Sequence, residues 1–129
     1  MPDTTLEQII ERCDEVVAHA WMVRTFIKHS EECEDYPELL GLVGIVRAVF
    51  DTSRALETRS DDPPAYLHML RKKIGKLRKA SEQFGVEAVQ ISAHTNFVMA
   101  VKSIEVCVRE LEGLLEQGAA LLDVRKENS

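Results

Sequence analysis

No stretch of this chain holds the roughly 20 consecutive apolar residues that a membrane-spanning helix needs, so the sequence excludes one. The opening residues, Met1-Pro2-Asp3-Thr4-Thr5, lack the basic-then-apolar layout of a signal peptide. Cysteine is scarce. Cys13, Cys33 and Cys107 form no C-x-x-C pair and are odd in number, which points to reduced thiols in a cytoplasm rather than a disulfide framework. Histidines are scattered at His19, His29, His68 and His94, with no H-x-x-x-H pair and no Glu-x-x-His on any stretch. Without that spacing a bundle metal site has no ligands to draw on, so neither a metal nor a cofactor is expected. Aromatics make up only 5% of the residues, and Trp21 is the single tryptophan. The formal net charge of −6 argues against nucleic acid as the default partner.

What is present is helical periodicity. In the last third, Phe97, Val101, Ile104, Val108, Leu111, Leu115 and Leu122 fall on one stripe at about 100° per residue. This heptad-like seam predicts a long C-terminal helix over residues 88–125. The first helix is expected over residues 5–29, capped by Thr4 or Thr5 with Glu7 near the third position. Its core stripe is Leu6, Ile9, Ile10, Cys13, Val16, Val17, Ala20, Val23 and Ile27. Beyond Ala18 it becomes apolar nearly all round, because Trp21, Met22 and Phe26 join the stripe.

The acid-rich stretch from Ser30 to Glu38 reads as a turn, with Pro37 opening a second helix over residues 37–58. Leu39, Leu42, Val43, Val46, Val49, Phe50 and Leu56 are its expected core face. Gly41 and Gly44 lie on one side of it, either as a close approach for another backbone or as a tolerated defect. Asp62-Pro63-Pro64 starts a third helix over residues 64–84, with Tyr66, Leu67, Leu70, Ile74, Leu77 and Phe84 inward and Gly85 as its stop. Four helices on short connections predict an all-α fold, a single domain over residues 1–129 built as an antiparallel up-down-up-down four-helix bundle.

Four features carry chemistry. Arg24 falls at the centre of the first helix's apolar stripe, where an unpartnered guanidinium would cost several kcal/mol. Antiparallel pairing of the first and last helices would bring it near His94 and Asn96, with His19 on the flank and Ser81 and Gln83 arriving from the third helix. The set reads as a polar layer fixing register, or as a pocket for a small anionic ligand. Second, Arg71, Lys72, Lys73, Lys76, Arg78 and Lys79 form a basic run. It is a solvated face or a dock for an acidic or phosphate-bearing partner. Third, Trp21, Met22 and Phe26 together with Met99, Val106 and Leu121 are apolar beyond what one bundle needs, and predict a homodimer interface. Fourth, buried Cys13 and Cys107 and acid-ringed Cys33 are expected to be unreactive.

His68-Met69-Leu70-Arg71 resembles the H-x-x-[K/R] core of histidine phosphotransfer domains, with Lys72 where that family has glycine. The resemblance implies a phosphoaccepting His68 with Arg71 beside it. Arg24-Thr25-Phe26-Ile27-Lys28-His29 is similar to the R-x4-6-H motif of HEPN-type helical ribonucleases, here placed in the first helix. No set of groups converges with catalytic spacing, and a non-catalytic interaction or scaffold module is the reading preferred over these two.

Overall fold

The computed structural model describes residues 4–35, 40–91 and 95–127. Five helices follow in order: α1 (Leu6–Lys28), α2 (Glu31–Asp35), α3 (Leu40–Leu56), α4 (Pro63–Ile91) and α5 (Thr95–Glu127). The fold is all-α, with no strand among the described residues, and none of these helices is long and apolar enough to cross a membrane.

Thr5 caps α1. Its hydroxyl accepts from the Gln8 amide at 3.1 Å, while the Gln8 side chain accepts from the Thr5 amide at 2.9 Å. The reciprocal partner of this capping box is therefore Gln8 and not Glu7. Glu7 does sit in the first turn, and backbone donors there hold its carboxyl below the usual range. Asp62 caps α4 through the amide of Ala65 at 3.2 Å, with Pro63 as the first helical residue.

The four long helices pack α1 on α3, α3 on α4, α4 on α5 and α5 on α1, with α4 lying diagonally across from α1. Side-chain contacts tie neighbouring helices together. Arg12 bonds Glu110 at 2.7 Å and Arg125 bonds Glu7 at 3.3 Å, so α5 descends along α1. Arg78 bonds Glu112 at 3.0 Å between α4 and α5. Asp14 fixes the α3–α4 connection to α1, accepting from Ser60 at 2.7 Å and from the Tyr66 hydroxyl at 2.8 Å. The seam of α5 is buried as its periodicity requires, from Phe97 to Leu115. Phe84 and Phe97 meet edge to face at 5.7 Å deep in the core, a contact worth about 0.5–1.5 kcal/mol beyond its burial.

Four expectations need correction. The acidic stretch is not simply a turn, because Glu31–Asp35 closes a short helix. Ser30 makes this local, donating to the Ile27 carbonyl at 2.6 Å while accepting from the Cys33 amide at 3.2 Å. Pro37 and Leu39 lie outside the described residues. Next, Gly85 does not stop α4, which runs on to Ile91. A Cβ there would stand 3.5 Å from Val101 and 3.6 Å from Glu105, ordinary packing contacts with α5, so the glycine faces α5 and does not cap α4. The last helix begins at Thr95, not at residue 88.

The fourth correction is the rotation of α3. Leu42, Ile45, Val49, Thr52 and Leu56 point inward, while Val43 and Phe50 are exposed. A helix this rich in apolar residues has two rows at helical spacing, and packing against both α1 and α4 selects the one containing Ile45. The two glycines of α3 divide. Gly41 is pressed against the Gln83 carbonyl and the Glu87 carboxylate, which accepts from its amide. Gly44 has open space around it.

Candidate functional site

Arg24 is buried, 9% exposed, but it faces α3. Its Nε donates to the Val46 carbonyl at 3.2 Å, and its guanidinium carbon lies 4.3 Å from the Trp21 ring centre and 5.4 Å from that of Phe50. The charge is thus met by a carbonyl and two aromatic faces, an arrangement that tolerates burial because the rings present negative quadrupole to the cation. His94 lies outside the described residues. His19 and Asn96 are exposed and line the groove between α1 and α5, where Arg24 contributes nothing to the walls. The structure therefore separates Arg24 from two of the residues the sequence grouped with it.

A groove runs between α1 and α5. Its main part, about 480 Å³, is lined by Val16, His19, Met22, Met99, Val106 and Cys107 among others, and is closed at one end by Arg12 and Glu110. A second part of about 360 Å³ continues past Met22 and Met99 to Phe26 and Asn96. Met22 is 65% exposed and Met99 51%, with Phe26 and Val106 exposed beside them. Four of the six residues read as interface are thus brought to one face. Trp21 is not among them, being turned toward Phe50 with ring centres 6.0 Å apart, and Leu121 is half-buried against the core.

Thiol chemistry at the groove is weak. Burial, then Glu110, pushes the Cys107 thiol up, with Arg12 opposing. Burial with Asp14 pushes Cys13 up to about 12, and burial with Glu34 raises Cys33. Thiolates are the nucleophilic form, so none of the three is activated.

His68 and Arg71 lie together on the exposed side of α4, in a cleft of about 270 Å³ whose far wall carries Asp123 of α5. Of the basic run, Arg71, Lys72, Lys76, Arg78 and Lys79 are exposed and Lys73 is half-buried. Only Arg78 among them has an acidic partner among the described residues. No cluster of three metal-ligating side chains occurs among the described residues.

Sequence reasoning missed one surface. With α3 rotated, Val43, Arg47, Phe50 and Arg54 form an outward row, and Arg54 lies 5.9 Å from the Phe50 ring centre. The signal was in the chain, since these positions follow i, i+4, i+7, i+11 spacing and alternate apolar with arginine. Comparison with known proteins leaves this geometry to speak alone: no family model, no curated protein and no solved structure matches the chain.

Proposed function

We propose that the chain is a single up-down-up-down four-helix bundle that works as a self-associating, non-catalytic interaction module, and that a second copy covers the α1–α5 face. The observation that carries this reading is the continuous groove bordered by Met22, Phe26, Met99 and Val106, four exposed apolar side chains brought to one face. Contiguous apolar patches of this kind mark interaction sites, and two-fold dimers are the commonest closed assembly.

Charge favours a second copy as the occupant. A two-fold axis parallel to the helices lays α1 of one copy on α5 of the other at equal height. The pairing Arg12–Glu110 within one chain fixes that height. Met22 of one copy then meets Met99 of the other, and Arg12 comes level with the other Glu110. Glu15, exposed on α1, comes near Arg109, exposed on α5. Apolar matches apolar and each sign meets its opposite, as an isologous contact requires. Cys107 in the groove wall would become fully enclosed, with no chemistry asked of it.

The test is the paired change Met22→Glu and Met99→Glu, followed by light scattering after size exclusion. The doubly charged variant elutes as a monomer while keeping its helical circular dichroism. A parent protein that is already a monomer at tens of micromolar would end this reading.

A further inference from the structure

We infer that the α1–α5 interface is opened by acid through His19: the dimer holds while this imidazole is neutral and separates when it is protonated. The inference rests on the two-copy reading above and adds its regulation. His19 is exposed on α1 and lines the groove with Met22, Val106 and Lys102. Among the polar groups of that wall, Arg12 and Glu110 are joined at 2.7 Å. That leaves His19, Ser103 and Lys102 as the polar groups a covering surface would enclose.

Register places these three together. From the Arg12–Glu110 pair, seven residues along each antiparallel helix lead to His19 and Ser103, about 10 Å from that pair. Lys102 is the next residue. It is exposed, and no carboxylate among the described residues pairs with it. In the two-fold arrangement α1 of one copy lies on α5 of the other at this same height, so each His19 also faces the partner's Ser103 and Lys102. A neutral imidazole suits that place, because its bare nitrogen accepts a hydrogen bond from a hydroxyl or an ammonium. An imidazolium only donates. It would meet a second cation and lose water to the methionine and valine side chains around it, and both effects disfavour the charged form.

The carboxylates near enough to offset this are engaged. Glu15, one turn before His19, lies 3.6 Å from Arg12 and across the interface comes near Arg109. Glu110 is held by Arg12, two turns from the level of His19. Neither α3 nor α4 contributes a group to this groove, and burial keeps the Cys107 thiol in its neutral form. Of the residue types lining the wall, histidine alone ordinarily changes charge between about pH 5 and 8.

The sign and size follow from linkage. Imidazole ordinarily titrates near about 6.5. A dimer that admits only neutral His19 releases up to two protons as it forms in acid, one per copy. Association is therefore complete above that value and is lost as pH falls through it. Between about pH 7.5 and 5.5 the dissociation constant should rise at least about ten-fold, with about a hundred-fold as the limit when neither copy keeps its proton.

Sedimentation equilibrium of the full chain at those two pH values measures this ratio, with far-ultraviolet circular dichroism showing the helices intact at both. His19→Gln should bring the ratio close to one. His19→Lys, with a fixed charge, should dissociate at the higher pH as the parent does at the lower. Lys102→Gln should shrink the ratio, whereas His29→Gln, at the C-cap of α1, should preserve it. A parent that is a monomer at the higher pH ends the two-copy reading and this inference together. A parent dimer equally tight at both values overturns this inference and leaves the two-copy reading standing. So does a ratio that survives in His19→Gln or stays full in Lys102→Gln.

Discussion

Two glycines of α5, five positions apart, should respond in opposite directions to the same substitution. Alanine in a helix interior gains about 1 kcal/mol over glycine, and at Gly113 nothing lies within 4 Å of where its Cβ would stand. Gly113→Ala should therefore stabilise by about 0.5–1 kcal/mol. At Gly118 the added carbon would lie 2.6 Å and 3.0 Å from the two methyls of Leu67. Leu67 is itself buried in the α4–α5 seam, and its methyls would have to shift to make room. Overpacking of this sort costs about 1–3 kcal/mol, which outweighs the propensity gain and leaves a net loss of up to about 2 kcal/mol. For a chain of this length about 1 kcal/mol corresponds to roughly 4 °C in melting temperature. Thermal melts by far-ultraviolet circular dichroism should thus place the two variants on opposite sides of the parent. Removing the obstacle completes the argument: in a Leu67→Ala background, Gly118→Ala should turn neutral or stabilising. Equal rises for both glycines, or a Gly118 penalty unchanged without Leu67, would refute the packing account.

Other substitutions follow from the same contacts. Arg24→Ala removes the stack on Trp21 and the bond to Val46 and should cost about 1–3 kcal/mol in urea unfolding, whereas Arg24→Leu keeps the volume and should cost less; the reverse order would show that charge, not packing, is what the site needs. Gly41→Ala drives a methyl toward the Gln83 carbonyl at 3.0 Å and should lower the melting temperature, while Gly44→Ala should not. Burial holds the Cys13 thiol up at about 12, and Cys107 and Tyr66 above their ordinary values as well. Their folded forms resist deprotonation, so this stability is fully present below the unfolded thiol value near 9 and is lost as pH climbs toward about 12; urea midpoints that stay level between about pH 8 and 10.5 would contradict it.

The parts of the fold legible in the sequence are those where one periodic signal had no rival. The α5 seam from Phe97 to Leu115 and the Thr5 and Asp62 caps are of this kind. Where two signals competed, tertiary contacts decided. Gly85 carries the composition of a stop, yet Val101 and Glu105 of α5 lie against it and α4 continues. In α3 Val43 and Phe50 suit a core face by themselves, but Arg47 and Arg54 share their row and that row turns outward. The same rotation explains the candidate sites. Met22, Phe26, Met99 and Val106 were readable as surplus apolar residues because their helices already had full core stripes. Arg24 was readable as buried but not as facing α3, since one of its two partner rings, Phe50, lies 26 positions away on the helix whose face was misjudged.

The central claim is that a second copy covers the α1–α5 face, and sedimentation equilibrium tests it most directly. At tens of micromolar the parent should give twice the chain mass of 14.6 kDa, and Met22→Glu with Met99→Glu should return it to the single-chain mass. A parent at the single-chain mass, or a doubly charged variant that still sediments as a dimer, would contradict the account.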